Sequence, residues 1–449
     1  SITNPDKFWG EAGNRLSWIK KYTQVRDVSF FVNDLHINWY KDGTLNACYN
    51  TVDRHVINGN GDDIALIWES NFDEDIENSK KITYRELQVE VSKFANVLKE
   101  NGVKKGDVVT IYMPMILETV YAMLACARIG AVHSVVFSGF SAESLAARIK
   151  DANSHIVITC DGSYRGDKII QLKEIVDKAI EIVPIVNKVI VCSRTNKAVA
   201  WVGKRDIWYD EAKKHVSDFC DVTEMNAEDP LFLLYTSGST GTPKGVVHTT
   251  GGYLVYVSMT HEYVFDHKPG DIFWCTADIG WITGHSYLVY GPLTNGATSL
   301  IFEGIPNYPC CSRVWKICDK YSVNALYTSP TLLRILKKEG DFFVTSSSRK
   351  SLKVLGSVGE PMQKDLWKWY YEVVGEKRCS VVDTWWQTEG GGIMISPLAS
   401  CDNSKEGSVS FPFFGINAYI ADGDGNSVPY GTEGNLVIKD SWPGQARTI

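Results

Sequence analysis

The sequence predicts an α/β protein with mostly parallel sheets, followed by a small antiparallel sheet. Three observations support this fold class. β-branched strands alternate with helical segments from residue 84 to about residue 385, a buried strand runs into a Gly/Ser/Thr-rich loop near residue 235, and short strands bounded by Gly, Asp and Pro follow Pro397. Such alternation is typical of parallel βαβ units, and 449 residues are enough for two or three subdomains.

The α/β pattern follows an N-terminal segment that is rich in Trp, Tyr and Asn. Leu87, Val91, Phe94 and Leu98 share one helical face, and Gly102 follows as a stop signal. The next predicted elements are the strand Val108–Tyr112, the helix Ile116–Ile129 ended by Gly130, the strand Val132–Phe137, a helix capped by Ser141, the strand His155–Cys160, a helix near Lys168–Ile182 and the strand Lys188–Cys192.

The C-terminal half begins with the predicted buried strand Leu231–Tyr235, and the α/β alternation then resumes. Asn417–Ala421 and Asn435–Lys439 are predicted as strands of the small antiparallel sheet. These changes along the chain predict four segments. They are an N-terminal cap (1–70), two α/β subdomains (71–225 and 226–396) and a partial antiparallel β subdomain (397–449).

Composition excludes several classes of protein. A net charge of −7 argues against nucleic-acid partners, because neutralising phosphates needs a basic surface. No membrane partner is expected, since the most apolar stretch, Ile116–Phe137, contains Glu118 and Arg128, and the N-terminus lacks a signal-peptide core. The eleven cysteines show no metal-like spacing. We interpret them as reduced and buried, which predicts a cytoplasmic protein.

The loop at residues 235–248 has the composition of a phosphate-binding loop. Gly238, Gly241 and Gly245 allow tight turns and close backbone approach, so exposed N–H groups can form an anion site, and Lys244 adds a positive charge. The hydroxyl donors are Thr236, Ser237, Ser239, Thr240 and Thr242. A Walker A loop is excluded because Pro243 replaces its second glycine. A flexible linker is disfavoured by the buried strand before the loop.

This loop resembles the phosphate loop of the adenylate-forming superfamily, which includes acyl-CoA synthetases, luciferases and peptide-synthetase adenylation domains. Further segments make the sequence similar to the acetyl-CoA synthetase family in particular; they are 38–50 (NWYKDGTLNACYN), 53–55 (DRH), 278–287 (DIGWITGHSY), 356–361 (GSVGEP) and 383–391 (DTWWQTEGG). The resemblance covers essentially the whole chain. It implies the large N-terminal domain of that superfamily, with two stacked α/β subdomains and a small distorted antiparallel β-barrel.

The resemblance also implies a reaction, acetate–CoA ligation. ATP and acetate would give acetyl-adenylate and pyrophosphate, and CoA would then give acetyl-CoA and AMP, with Mg²⁺ as cofactor. The acetate oxygen itself attacks the α-phosphorus, so no protein nucleophile or general base is needed. Cations and N–H donors must neutralise the two anions. For this reason we expect His248 and His285 to be structural.

The implied catalytic residues are Lys244, Glu389, Thr236 and Thr384, with Glu389 as the Mg²⁺ ligand. The implied ATP- and AMP-binding residues are Thr236, Ser237, Gly238, Ser239, Thr240, Gly241, Lys244, Gly359, Glu360, Pro361, Asp383, Thr384, Trp385, Trp386, Gln387 and Thr388. Asp383 would accept a hydrogen bond from the adenine amine. Taken alone, Asp383 has a helix or turn cap as its alternative interpretation, and Glu360 has that of a solvated surface acid.

The implied acyl pocket consists of Trp281, Ile282, Thr283, Val358 and Trp386. The Trp386 indole would close its far end and leave room for little more than a methyl group. For CoA, the resemblance implies Gly139, Arg165 and Lys168, with the two cations on the 3′-phosphate. Two solvated surface cations are the alternative interpretation.

Two departures from the family bear on function. Gly390 stands where the family more often has Thr or Ser, which could loosen the loop beside Glu389. The family's C-terminal lid domain, which carries a carboxylate-contacting Lys, is expected to be missing from this chain. Two alternatives stay open, a synthetase for propionate or another short-chain acid and a non-catalytic nucleotide sensor. The sequence does not indicate an oligomeric state.

Overall fold

Two large sheets and the helices around them make up the protein, whose computed structural model describes residues 1–72, 79–237, 243–401 and 404–448. The strands are β1 Arg26–Ser29, β2 His36–Trp39, β3 Thr44–Leu45, β4 Ile64–Glu69, β5 Lys80–Thr83, β6 Val108–Tyr112, β7 Val132–Val135, β8 Ile156–Cys160, β9 Ser163–Arg165, β10 Lys168–Ile170, β11 Lys188–Cys192, β12 Asp206–Trp208, β13 Met225–Asn226, β14 Pro230–Ser237, β15 Pro243–Thr249, β16 Ile272–Cys275, β17 Thr298–Phe302, β18 Ala325–Thr328, β19 Val354–Ser357, β20 Ser380–Asp383, β21 Ala418–Ala421 and β22 Asn435–Ile438.

The helices surround these strands. They are α1 Pro5–Ala12, α2 Tyr84–Glu100, α3 Leu117–Ile129, α4 Ala142–Asp151, α5 Leu172–Ile182, α6 Tyr209–Ala212, α7 Thr250–Val264, α8 Ile282–Gly284, α9 Gly291–Thr294, α10 Arg313–Tyr321, α11 Pro330–Glu339, α12 Asp341–Thr345 and α13 Lys364–Trp369. 3₁₀ turns cover Gly13–Arg15 and Thr388–Gly390, and π-helical turns cover Tyr49–Asp53, Val56–Asn60, His285–Tyr290 and Tyr370–Val374.

Within the described ranges, each large sheet has seven strands and is parallel except at one edge. The first sheet has the order β12–β11–β8–β6–β7–β14–β15, and the second has the order β20–β19–β18–β16–β17–β4–β5. The antiparallel edge pairs are β14 with β15 in the first sheet and β4 with β5 in the second. The predicted α/β class with mostly parallel sheets is confirmed.

The sheets do not follow the predicted segment boundaries. β4 and β5, at residues 64–83, lie in the second sheet, although the sequence placed them in the cap and at the start of the first subdomain. β14 and β15, at residues 230–249, complete the first sheet, although they follow the boundary predicted at residue 226. Non-local pairing decides sheet membership, and local sequence signals do not encode it.

Local signals explain most element boundaries. The Thr83 hydroxyl and the Glu86 carboxylate form a reciprocal capping box at the start of α2, and Gly130, at φ 74°, ends α3 in the left-handed conformation. The Ser141 hydroxyl caps α4 as predicted. One prediction was wrong, because Lys168–Ile170 forms the second strand of a hairpin and the helix begins only at Leu172.

Successive residues of the second sheet face two different cores, because side chains alternate along a strand. Phe273 and Tyr327 belong to a core that also contains first-sheet residues such as Val109. Trp274 and Leu326 face a separate core formed with α10, α11 and α13. The first core therefore joins the two sheets into one packed body.

The segment after Pro397 contains the expected antiparallel element. β21 and β22 pair antiparallel, with Ala418 opposite Ile438. In the described part of residues 397–448, this two-stranded sheet is what corresponds to the small barrel that the resemblance implies. An isolated bridge between Val247 and Thr448 ties the C-terminal residues to β15.

Two further expectations from the sequence concern membrane-spanning helices and the state of the cysteines. Within the described ranges, every helix is too short or too polar to cross a bilayer. All eleven cysteines are unpaired, and most of them are buried.

A buried ion pair fastens the N-terminal segment to α3. The Arg128 guanidinium binds the Asp53 carboxylate through two hydrogen bonds, Nη1 to Oδ2 at 2.8 Å and Nη2 to Oδ1 at 2.9 Å. Gln88 on α2 donates a further bond of 2.7 Å to Asp53 Oδ1. Only 1% of the Arg128 side chain and 8% of the Asp53 side chain are exposed, so neither charge has water to replace its partner.

We predict that Asp53→Ala destabilises the protein by about 3–5 kcal/mol, because Arg128 is left as a buried, uncompensated charge. The midpoint of the first urea-induced unfolding transition measures the loss. The control is Asp62→Ala, which removes the partner of Arg85 from a pair in which the Asp62 side chain is 88% exposed. That change should cost less than about 1 kcal/mol. Equal midpoints for the two variants would contradict the prediction.

Candidate active site

The described structure places both ends of the predicted phosphate loop. Thr236 and Ser237 end β14, and Lys244 lies near the start of β15, directly opposite Thr236 in an antiparallel pair. Lys244 is exposed, as a phosphate-binding cation must be. The strand predicted before the loop is confirmed. Gly238, Ser239, Thr240, Gly241 and Thr242 lie outside the described residues.

The turn that carries Glu389 is held in place by hydrogen bonds from other parts of the chain to its backbone carbonyls. His248 Nε2 on β15 lies 2.7 Å from the carbonyl oxygen of Thr388, and Ala446 N–H donates to the carbonyl of Glu389 at 2.8 Å. Trp442 Nε1–H donates to Gly390 O at 2.9 Å, and the Ser286 hydroxyl donates to Gly391 O at 2.7 Å. Four consecutive carbonyls are therefore bonded to separate parts of the chain.

His248 has a structural contact, in keeping with the sequence expectation. Burial lowers the pKa of its imidazole to about 4, so the ring is neutral at pH 7. A carbonyl can only accept, so the Nε2 proton points to Thr388 O. His285 is also fully buried, and burial lowers its pKa to about 3, with Nδ1 3.3 Å from Trp281 O.

Gly390 does not loosen the loop. A Cβ atom at this position would lie 2.6 Å from Met394 Sδ, so the space that a Thr or Ser would take is filled by the methionine. The Trp442 bond fixes the Gly390 carbonyl. At Gly391 the backbone has φ 74° and a Cβ would lie 2.1 Å from Gly444 O, so only glycine fits there.

A directed chain of hydrogen bonds connects Trp386 to Ser357. The indole N–H of Trp386 donates to the Tyr327 hydroxyl at 3.1 Å, and that hydroxyl lies 2.7 Å from Thr384 Oγ1. Thr384 in turn donates to the carbonyl of Ser357 at 2.8 Å. The Thr384 proton is thus used inside the protein, and Thr384 acts here as a link in this chain and not as a free donor toward a phosphate.

The predicted adenine residues follow the ends of β19 and β20. Gly359, at φ 102°, and Pro361 are exposed, so their backbone is accessible. The Glu360 carboxylate binds the Thr331 hydroxyl and Arg334, and these contacts lower its pKa. Asp383 is 3% exposed, and burial raises its pKa to about 6.

The predicted acyl residues divide into two groups. Trp386 packs edge-on against Tyr287, with ring centroids 5.3 Å apart, and Val358 N–H donates to the carbonyl of Thr328, next to Tyr327. Ile282 is buried, and Thr283 is partly buried. Trp281 is 50% exposed and its indole lies instead against Phe137, at 6.0 Å between centroids.

Two of the predicted CoA residues, Gly139 and Arg165, line a cavity of about 310 Å³ together with Asp278 and Glu303. Arg165 and Lys168 lie opposite each other on the β9–β10 hairpin, and both are exposed. Burial raises the pKa of Asp278 to about 6. Arg165 contributes a cation to the lining of the cavity.

Sequence reasoning missed the residues that hold these groups in place. Tyr327 and Tyr287 contact Trp386, and Asn71 contacts the hairpin that bears Arg165. They lie far along the chain from the residues they support. Tyr287 ends the motif at residues 278–287, which gave no sign of its contact with Trp386, and no quoted motif contains Tyr327 or Asn71, so only the fold brings them to the site.

Comparison with known proteins agrees with the geometry. An AMP-binding enzyme profile matches residues 53–445, and an acetyl-coenzyme A synthetase N-terminus profile matches residues 1–51. Proteins named acetyl-coenzyme A synthetase are 56% identical over 451 residues in Shewanella amazonensis and 58% identical over 449 residues in Parvibaculum lavamentivorans. Each alignment covers 100% of this chain and 69% of the relative.

The chain belongs to the acetyl-coenzyme A synthetase family of AMP-binding enzymes. A third member, from Methylocella silvestris, is 56% identical over 450 residues. The relatives are longer than the chain, which spans 69% of each of them. This difference in length does not identify the segment of the relatives that lies outside the alignments. The expected absence of a C-terminal lid domain is not supported by the relatives and stays a prediction.

We predict that Tyr327→Phe destabilises this family member by about 1–3 kcal/mol, because the Trp386 N–H is left without its acceptor in a partly buried site. The thermal unfolding midpoint measures the change. Tyr371→Phe is the matched control, since the Tyr371 hydroxyl donates to Lys377 O at the exposed surface. That variant should lie within about 0.5 kcal/mol of the parent. A midpoint for Tyr327→Phe equal to that of the control would be inconsistent with the hydrogen-bond chain.

Proposed function

We propose that this chain carries the adenylate-forming site of an acetate–CoA ligase. ATP and acetate react to give acetyl-adenylate and pyrophosphate, and CoA then takes the acetyl group to give acetyl-CoA and AMP. The observation that carries the proposal is the His248–Thr388 hydrogen bond of 2.7 Å, which joins the phosphate-loop strand to the Glu389 turn. The chain's 56–58% identity to acetyl-coenzyme A synthetases supports the choice of reaction.

In this proposal the β14–β15 loop binds the β- and γ-phosphates. Residues 236–242 supply hydroxyl and backbone N–H donors, and Lys244 supplies a positive charge toward the departing pyrophosphate. The enzyme's work is to align two anions that repel each other and to neutralise the charge that develops on the leaving group. The strand that carries Lys244 is hydrogen-bonded to the turn that carries Glu389, an arrangement that suits this requirement.

Glu389 is the residue that would hold Mg²⁺. Its carboxylate is a hard oxygen ligand of the kind that Mg²⁺ prefers, and it sits on a turn with a fixed backbone. Within the described ranges no three His, Cys, Asp or Glu side chains cluster as a metal cage, so the carboxylate would act together with substrate phosphates. When bound, the metal neutralises phosphate charge. Thr384 positions the neighbouring Trp386 through Tyr327.

The adenine and acyl groups would bind after the ends of β19 and β20. The backbone of residues 359–361 borders the adenine ring, and the Asp383 carboxylate accepts from its amine. Trp386 closes the acyl pocket, which Val358, Ile282 and Thr283 help to line. Because Tyr287 and Tyr327 fix the indole, the pocket keeps its short length and favours acetate over longer acids.

CoA would enter along the cavity that Gly139 borders. The close approach of Phe137 to Gly139, where a Cβ would lie 2.4 Å from Cε1, leaves no room for a larger residue. Arg165 and Lys168 would bind the 3′-phosphate at the cavity's edge. Trp281 would line the path between this cavity and the acyl pocket.

We predict that Trp386→Gly in the complete enzyme admits longer acids, because the far wall of the acyl pocket is lost. The preference for acetate over pentanoate should fall at least ~10-fold, in line with about 1–3 kcal/mol per methylene accommodated. Acid-dependent ATP–pyrophosphate exchange over acids of two to six carbons measures it, and the parent profile tests the proposed function itself. Failure of the parent to exchange with any of these acids would favour the nucleotide sensor.

Trp201→Gly is the control for this change. Trp201 stacks on Trp208, with centroids 4.9 Å apart, and is 39% exposed. Its loss should leave the acid profile unchanged. If Trp386→Gly keeps the parental preference for acetate, the indole is not the wall of the pocket. A parent that prefers propionate would assign the chain to the alternative short-chain acid.

We predict that adenosine binding weakens as the pH falls through about 6, because the carboxyl of Asp383 is then protonated. Burial raises this pKa, so folding favours the protonated form, and the charged acceptor exists only above about pH 6. Adenosine is the probe because it has no titrating phosphate. Three groups lower the pKa of Asp383 and so oppose the effect of burial. They are the Ser357 hydroxyl and the N–H groups of Met362 and Thr384, and they do not titrate. Calorimetry should show about 5-fold weaker binding at pH 5 than at pH 7.5. An unchanged pH dependence in Asp383→Asn would refute this assignment.

A further inference from the structure

The hairpin that carries Arg165 and Lys168 is too small to fix their positions alone. β9 and β10 have three residues each, joined through Gly166 at φ 63°. An isolated two-stranded hairpin of this size is marginally stable in water. Something outside the hairpin must hold it if two exposed cations are to meet one phosphate.

One buried side chain holds the turn of this hairpin. The Asn71 amide Nδ2 donates to Gly166 O at 2.8 Å, and Gly166 N–H donates to Asn71 Oδ1 at 3.1 Å. Both polar groups of one planar amide thus bind one residue, which fixes the position and the orientation of the turn. Asn71 is 0% exposed, so water does not compete for these bonds.

Asn71 is itself anchored from the second sheet. Its backbone N–H donates to Glu303 Oε2 at 3.2 Å, and Glu303 receives two hydrogen bonds from Arg194, Nε to Oε1 at 2.6 Å and Nη2 to Oε2 at 2.7 Å. The Arg194 guanidinium lies 4.8 Å from the centre of the Tyr164 ring, on the hairpin. The contacts form a closed circuit from the hairpin through Arg194, Glu303 and Asn71 back to the hairpin.

This circuit joins the two sheets at one place. Asn71 follows β4 and Glu303 follows β17, both of the second sheet, whereas the hairpin and Arg194 follow β8 and β11 of the first. The cations of the first sheet are therefore positioned by groups of the second sheet. The arrangement restrains the hairpin in a way that the fold of the first sheet alone does not.

We propose that Asn71 is a positioning residue for CoA recognition, whose amide holds the Gly166 turn so that Arg165 and Lys168 present their charges to the 3′-phosphate. This inference rests on the proposed function, which gives the two cations that role. Asn71 itself does not touch CoA. Its loss releases the hairpin, so the cations spend less time together at the phosphate, while ATP and acetate, which bind elsewhere, are unaffected.

The test compares CoA with dephospho-CoA, which lacks only the 3′-phosphate, in the complete enzyme. Asn71→Ala should raise KM for CoA about 10-fold, leave KM for dephospho-CoA unchanged and leave acetate-dependent ATP–pyrophosphate exchange unchanged. Asn324→Ala is the matched control. Asn324 makes the same kind of two-point contact, to Ile272 N–H at 2.7 Å and Ser351 O at 3.2 Å, at the opposite end of the second-sheet strands. It should not change the ratio of the two KM values.

Arg165→Ala separates this inference from the proposed function. If Arg165→Ala abolishes the preference for CoA over dephospho-CoA and Asn71→Ala does not weaken it, the positioning role is wrong and the phosphate site stands. If Arg165→Ala leaves the preference intact, the phosphate site is wrong. Equal losses for CoA and dephospho-CoA in Asn71→Ala would show a merely structural role. Should that variant not fold, Asn71→Asp, which keeps the acceptor for Gly166 N–H and loses the donor, decides by the same ratio.

Discussion

Four backbone carbonyls in a row, those of residues 388–391, fix the turn that carries Glu389. They are bonded to β15, to the C-terminal residues and to the segment that follows α8. Each hydrogen bond contributes only about 1 kcal/mol net, but together they leave the turn few other positions. The carboxylate that we propose as the Mg²⁺ ligand gains from such preorganisation of its backbone. This one turn thereby contacts β15, the segment that contains Ser286 and the C-terminal residues.

The candidate site lies at the carboxyl ends of strands from both sheets. The hairpin follows β8, Asp278 follows β16, Glu303 follows β17 and Val358 follows β19. In open α/β sheets this edge is where ligands bind, because the loops there are free to vary while the strands stay fixed. Here two such edges face one cavity, so the residues assigned to CoA and those assigned to the acyl group come from different sheets and meet only in the folded chain.

Sequence reasoning succeeded where the determinants are local. Helix periodicity, the Ser141 cap and the Gly130 stop placed α2 to α4 correctly, and the long motifs indicated the family that the comparisons show. It failed at Lys168–Ile170, because two isoleucines extend the apolar pattern of the next helix backwards. It could not assign β4 to the second sheet, nor find Tyr327 or Asn71, since pairing and buried hydrogen bonds between distant residues leave no periodic trace.

The pairing of β4 with β17, which lies far along the chain, has a consequence for folding. The Thr298 hydroxyl donates to the carbonyl of Ile64, a residue 234 positions earlier, and β4 pairs with β17 beside it. Closing a loop of that length costs entropy before any contact repays it, which slows folding. During synthesis, β4 must wait for β17 to leave the ribosome. One edge of β4 therefore stays without its β17 partner, and prone to aggregation, until Phe302 has been made.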